Sequence, residues 1–120
     1  MRIAMVAAAG ALGTVVRYAV GVRVGVQSFP WATLAVNTVG SFALGVVLVA
    51  GPSRWPRDLV VAVSVGFLGG FTTFSTFGYE SQTLLREGRA AASAAYVVGS
   101  VCAGVAAAAL GYTAGGSLRR

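Results

Sequence analysis

Four long apolar stretches occupy nearly the whole chain, and they constrain the fold more than any other feature of the sequence. They cover residues 3–22, 31–50, 59–79 and 90–117. Each stretch can cross the hydrocarbon core of a bilayer, because about 20 helical residues span its thickness of about 30 Å. The connections between the stretches are too short to hold a soluble domain. We therefore predict a single all-α membrane domain over residues 1–120 with four transmembrane helices.

The composition agrees with a membrane protein and argues against other classes. Hydrophobic residues make up 57% and charged residues 10% of the chain, whereas soluble domains carry about 25% charged residues. The net charge is +6, but the nine arginines are spread singly or in pairs, unlike the clustered charge of a nucleic-acid surface. With no histidine, one cysteine and three acidic residues, the chain lacks the groups for metal or triad catalysis. We predict neither an enzyme nor a nucleic-acid partner.

The first apolar stretch has an alternative interpretation as a secretory signal peptide. Arg2 precedes an apolar run that contains small residues at positions 7–9, which is the signal-peptide pattern. However, the hydrophobic stretch continues past any cleavage point, and three further spans follow it. We therefore favour a transmembrane helix.

Arginine is distributed almost evenly between the two sides of the membrane. The two sets are Arg2, Arg54, Arg57, Arg119 and Arg120 on one side and Arg17, Arg23, Arg86 and Arg89 on the other. If Arg17 lies inside the membrane, the count is five against three. Because the imbalance of basic residues sets orientation, a chain with so small a bias can insert both ways up and pair antiparallel with a second copy. A single, weakly biased topology remains the alternative.

Small residues at four-residue spacing indicate close packing of helices. Gly66 and Gly70 form a GxxxG pair, and Ser41 and Gly45 form a second small-residue pair. Such spacing lets helix backbones approach closely, which favours a tight homodimer with a narrow conduit between its subunits. The alternative is that these residues only pack the helices of one chain.

The third stretch contains residues that weaken a helix in mid-membrane. Gly69 and Gly70 are followed by the β-branched hydroxyl residues Thr72 and Thr73. We therefore predict a break in the third helix near residues 69–73. Irregular backbone at this depth is tolerated only where it is buried in protein or lines a cavity, and unwound carbonyls at such breaks coordinate cations in transporters.

Polar groups inside the spans are the clearest functional signal, because each is costly there unless it has a partner or faces water. They are Arg17, Asn37, the segment Thr72-Thr73-Phe74-Ser75-Thr76-Phe77, Glu80, Tyr96 and Ser100. Asn37 suits either a ligand role or an interhelical hydrogen bond. Arg17 can attract anions or extend to the interface. Phe74, Phe77 and Glu80 share one helical face, for which simple packing is the alternative.

Three segments together resemble the Fluc/CrcB family of fluoride channels. They are residues 13–18 (GTVVRY), 33–42 (TLAVNTVGSF) and 66–77 (GFLGGFTTFSTF), in the first three spans in order. The resemblance implies an antiparallel dual-topology homodimer with two fluoride pores between the subunits and a structural sodium ion at its centre. It further implies passive, fluoride-selective export across the cell inner or plasma membrane, which gives fluoride resistance. A heterodimer encoded by two genes, also known in the family, stays open.

The resemblance also assigns roles to individual residues. Those it places along the pore are Asn37, Phe74, Phe77, Tyr96 and Ser100. It places sodium on the backbone carbonyls of Gly69 and Thr72, an arginine of the vestibule at Arg17, and a carboxylate close to the pore at Glu80. The family's polar track on the fourth helix is only partly matched, since its outer two positions are Gly104 and Ala108 in this chain.

A fluoride path must replace water around a strongly hydrated anion. Hydrogen-bond donors and the positive edges of phenylalanine rings can do so, and the hydroxyls of Ser75 and Thr76 add to the donors named above. A proton-coupled small multidrug exporter is the main rival, but such antiporters depend on a carboxylate deep in the first helix, and residues 3–22 contain none. A purely structural membrane protein is the third option, and it leaves the TTFSTF segment and Asn37 unexplained.

Overall fold

Helices make up nearly all of the computed structural model of the chain, which describes residues 1–119. They are α1 (Arg2–Val24), α2 (Trp31–Arg54), α3 (Arg57–Val61), a π-helical stretch (Ala62–Phe67), α4 (Leu68–Phe71), α5 (Phe74–Arg86) and α6 (Ala90–Arg119). The described residues contain no β-strand. Arg120, which the sequence assigns to one end of the bundle, lies outside the described residues.

Four helical segments are long and apolar enough to cross a membrane. They are Arg2–Val24, Trp31–Arg54, Arg57–Arg86 and Ala90–Arg119. The prediction of an all-helical protein with four spans is therefore confirmed. The second span extends about one turn beyond its apolar stretch, to Arg54, and the third extends about two turns, to Arg86. The apolar stretch marks the part of a helix suited to the hydrocarbon core and not the residue at which the helix ends.

The third span is interrupted at two threonines. Thr72 has φ −88° and ψ 159°, and Thr73 has φ −151° and ψ 122°, so both are extended between α4 and α5. The predicted break is confirmed, but Gly69 and Gly70 are still helical. The low helix propensity of these two glycines therefore does not by itself cause the break. Instead, the chain unwinds where Thr73 can cap α5, and its Oγ1 accepts from the Thr76 backbone N–H at 3.3 Å.

The glycines of the third span serve close packing against α1. A Cβ on Gly66 would lie 2.6 Å from the Val6 carbonyl oxygen, and one on Gly70 would collide with the carbonyl oxygen of Gly10. On the other side of the molecule, a Cβ on Gly45 would lie 2.6 Å from the Ala108 carbonyl oxygen. These small-residue contacts lie within one chain, so they give no support for a second copy.

The four spans are arranged as a thin slab. α1 packs on residues 57–71, and α2 packs along α6. A small apolar core joins the two halves and consists of Val36, Val47, Val60, Leu68 and Phe71. The slab is 20 Å across its thinnest dimension, which is about two helix diameters. A single chain therefore has no room for a wide internal pore.

Candidate ion site at the helix break

Asn37 on α2 holds the extended backbone of the break. Its Nδ2 donates to the Thr73 carbonyl oxygen at 2.9 Å, and its Oδ1 accepts from the Thr73 N–H at 2.8 Å. The amide thus replaces two hydrogen bonds that a continuous helix would have made. One N–H of the amide remains available for another acceptor. The structure shows the interhelical bond, and the ligand role remains a prediction.

Arg17 on α1 lies at the same break. Its Nε donates to the Gly70 carbonyl oxygen at 3.0 Å, so the guanidinium satisfies one of the carbonyls at the end of α4. This contact directs the side chain toward the break, and its other four N–H donors stay available. Arg17 therefore brings a positive charge to mid-span.

Two other carbonyls at the break lose their usual helical partners. The Thr73 N–H, which would bond to Gly69 in a continuous helix, donates to Asn37 instead. The Thr76 N–H, which would bond to Thr72, donates to the Thr73 hydroxyl. Gly69 is exposed, and a Cβ built on it meets no atom within 4 Å. Both oxygens suit a hard cation such as sodium, and the described residues contain no His, Cys, Asp or Glu cluster that could hold a metal by side chains.

Phe74 and Phe77 on α5 form a row of aromatic rings with Tyr96 on α6. The Phe74 and Phe77 centroids are 5.7 Å apart, and Phe77 meets Tyr96 on α6 edge to face at 5.1 Å. Phe74 is 83% exposed although it lies beside the break in the middle of the chain. The structure therefore brings these predicted site residues together and leaves one ring on an open surface.

Glu80 binds two hydroxyl groups from other helices. Thr33 Oγ1 donates to Glu80 Oε1 at 2.6 Å, and the Tyr96 hydroxyl approaches the same oxygen at 3.5 Å. Tyr96 is only 1% exposed, so its hydroxyl faces Glu80 within the chain. Sequence reasoning did not single out Thr33. Its position four residues before Asn37, on the same helical face, was the available signal.

The remaining predicted donors differ in how they are satisfied. Thr76 Oγ1 accepts from the Thr73 hydroxyl at 3.1 Å, and Ser75 is exposed at the start of α5. Ser100 on α6 has a fully buried Oγ that lacks a partner among the described residues. Buried polar atoms normally have a partner, so an unpaired hydroxyl suggests a place for water or an ion.

An open groove lies at the break, between α2 and residues 64–74. It has a volume of about 270 Å³, and its lining includes Asn37, Gly40, Ser41, Thr72 and Phe74. We call it the break groove. The N-terminus of α5 begins at its edge, and the first N–H groups of a helix attract anions. The break therefore offers carbonyl oxygens for a cation and donors for an anion in one place.

Comparison with known proteins places this site in a family. The model of the CrcB-like protein family, described as Camphor Resistance (CrcB), matches residues 4–112. The chain belongs to the CrcB-like family. The matched residues include every site residue from Arg17 to Ser100, which confirms the resemblance seen in the sequence.

Several curated relatives cover most of the chain. A fluoride-specific ion channel FluC of Agrobacterium fabrum is 42% identical over 98% of each chain. One of Rhodospirillum centenum is 46% identical over 79% of each. One of Thermus thermophilus is 40% identical over 98% of this chain and 97% of the relative. With four apolar helices, this family member is a multi-pass membrane protein.

Proposed function

We propose that the chain is a fluoride-selective channel that lets fluoride leave the cell passively across the inner or plasma membrane and so gives fluoride resistance. The observation that carries the proposal is the break at Thr72–Thr73, where Asn37 and the start of α5 bring donors to a groove bordered by Phe74. Arg17 adds a positive charge at the same break through its bond to the Gly70 carbonyl oxygen. The fluoride-specific relatives support it, since each is at least 40% identical to the chain over the aligned residues.

The conducting unit is an antiparallel homodimer with two pores between its subunits. One chain, 20 Å across its thinnest dimension, has no room for a wide internal pore, and Phe74 at the edge of the break groove is exposed on its surface. A second copy that covers this surface would complete the wall of the path. Dual topology is supported by the small arginine bias between the two ends. Arg17 binds the mid-span carbonyl of Gly70 and is not counted, so five arginines lie at one end and three at the other.

A sodium ion at the dimer axis is a structural part of this assembly. The carbonyl oxygens of Gly69 and Thr72 would hold it, two from each subunit, since both have lost their helical N–H partners. Unsatisfied carbonyls within a membrane are costly, and a hard cation would satisfy them. The exposed surface at Gly69 leaves space for a second subunit to approach.

The fluoride path uses the polar and aromatic groups around the break. Ring edges of Phe74 and Phe77 and the remaining N–H of Asn37 replace water around the ion. Further donors are the hydroxyls of Ser75, Thr76, Tyr96 and Ser100. Arg17 raises the local concentration of anions, and Glu80 fixes the hydroxyls of Thr33 and Tyr96. Coupled export has no support, because α1 contains no acidic residue.

Fluoride release from liposomes tests the proposal. Purified protein is reconstituted into liposomes loaded with potassium fluoride and potassium chloride, and a potassium ionophore prevents charge build-up. A fluoride electrode and a chloride electrode record the release, with protein-free liposomes as the control. We expect rapid fluoride release without chloride and without an imposed proton gradient. Equal release of both anions, or release only with a proton gradient, would contradict the proposal.

A further inference from the structure

The helices α2 and α6 run parallel and hold polar residues opposite one another. Thr33 and Tyr96 both reach Glu80 Oε1. Farther along, a Cβ on Gly104 would lie 3.7 Å from Ser41 Oγ, and Gly45 contacts Ala108. In each of the pairs Thr33–Tyr96, Ser41–Gly104 and Gly45–Ala108, the α6 residue follows the α2 residue by the same number of positions in the sequence. This register places Ser100 opposite Asn37, between the first pair and the pair formed by Ser41 and Gly104.

We call the contact between α2 and α6 the seam. The number of polar side chains falls from one pair to the next along it. Its first two pairs, at Thr33 and at Asn37, have a polar side chain on both helices. The third pair has a hydroxyl only on α2, at Ser41, because its partner is Gly104. The fourth pair, Gly45 and Ala108, has none. Ser41 is therefore the last polar side chain in these four pairs, and it lines the break groove together with Asn37.

The hydroxyl of Ser41 is free to change its partner. It donates to the Asn37 backbone carbonyl at 2.7 Å. That carbonyl also accepts the backbone N–H four residues later in α2, which belongs to Ser41 itself. If the hydroxyl hydrogen rotates toward another acceptor, the carbonyl keeps a partner, and little is lost. By contrast, the hydroxyl of Thr33 is bound to a carboxylate.

The absence of a side chain at Gly104 leaves room beside this hydroxyl. One turn before it on α6, the Ser100 hydroxyl is buried and has no partner among residues 1–119. A buried hydroxyl without a partner suits an ion or a water, and Ser100 lies one helical turn from the glycine that faces Ser41.

We propose that Ser41 contacts fluoride directly and supplies from α2 the donor that α6 lacks at Gly104. This inference rests on the proposed function. Ser41 extends the donors beyond Asn37 and Ser100 by one helical turn, so that the ion keeps a polar partner as it passes the point where α6 becomes apolar. The hydroxyl has the same effect whichever of the two helices holds it.

The test moves the hydroxyl between the helices and measures fluoride release from liposomes. Ser41→Ala should slow the initial release about tenfold, which is typical for loss of one hydrogen bond to a charged group. Adding Gly104→Ser to that variant should restore most of the rate. Ser41→Thr, which keeps the hydroxyl, should stay within about twofold of wild type. Ser53→Ala is the matched control, because its hydroxyl also bonds within α2, at the exposed end of the helix.

The outcomes separate this inference from the proposed function. If wild-type protein releases no fluoride, the function is wrong. If wild type releases fluoride and Ser41→Ala does so equally fast, only the role of Ser41 is wrong. A folded Ser41→Thr variant that is as slow as Ser41→Ala would also overturn it. The inference is also overturned if the Gly104→Ser variant conducts fluoride by itself but the double variant is no faster than Ser41→Ala. Gel filtration of each variant shows whether its oligomeric state is retained.

Discussion

Replacing Asn37 with alanine removes both hydrogen bonds that hold the extended backbone of Thr73. The donor and acceptor distances are 2.9 and 2.8 Å. A buried polar group left without a partner costs about 1–3 kcal/mol. Thr73 is half-buried and lines the open groove, so twice this cost, about 2–6 kcal/mol, is the upper limit for the loss in free energy of unfolding, a large share of the stability of an ordinary domain.

Asn37→Asp separates the structural role of this side chain from its role toward the ion. The carboxylate can still accept from the Thr73 N–H, but it has no donor for the Thr73 carbonyl, so the loss of stability should be about half that of alanine. Fluoride release should suffer more. A carboxylate about 4 Å from a fluoride ion repels it by about 4 kcal/mol at an effective dielectric constant of about 20, which is enough to reduce flux by at least about a hundredfold.

Thermal unfolding in detergent and fluoride release from liposomes measure the two effects. Gln82→Ala is the matched control, because it removes an amide from an exposed position on α5 and should change stability by no more than about 0.5 kcal/mol. An Asn37→Ala variant that unfolds at the wild-type temperature would refute the stabilising role of the amide. A folded Asn37→Asp variant with wild-type flux would refute its contact with the ion.

Three further predictions concern the pore, the topology and the cation. Phe74→Ile and Phe77→Ile keep apolar bulk but remove the positive ring edge, so fluoride release should fall sharply while gel filtration still gives a dimer; wild-type flux would leave packing as their role. Two lysines added beside Arg119 should impose one orientation and abolish activity unless an oppositely biased copy is co-expressed; a C-terminal reporter on one side only in the unmodified chain would contradict dual topology. Replacing sodium with a large organic cation, or Gly69 with valine, should reduce release; full activity without sodium would argue against the structural ion.

The spans and the existence of a break could be predicted from the sequence because each depends on local features. Apolar length predicts a transmembrane helix, and two threonines after two glycines predict a weak point in it. The position of the break within that segment depends on tertiary contacts. Gly70 stays helical because α1 packs closely against it, and the chain unwinds at Thr72 and Thr73, where Asn37 offers replacement hydrogen bonds.

Partners distant in sequence could not be predicted, because spacing shows that a helix can approach but not which one does. The GxxxG pair of Gly66 and Gly70 suggested a second copy, yet it packs against α1 of the same chain. Likewise, Thr33 and Glu80 lie in different spans, and only the fold brings them to 2.6 Å. The role of a polar residue in the membrane thus depends on neighbours that its own segment does not specify.

In the proposed channel, the break lets one element of the fold present groups to ions of opposite sign. Residues 57–71 end in carbonyl oxygens, the partially negative end of a helix, and α5 begins with N–H groups, the partially positive end. In an intact helix these groups would bond to each other and be unavailable. Arg17 binds the carbonyl of Gly70, and Asn37 binds both backbone groups of Thr73, which stabilises the unwound backbone of the break. The oxygens of Gly69 and Thr72 are then left for a cation, and the first turn of α5, beside the ring of Phe74, is left for an anion.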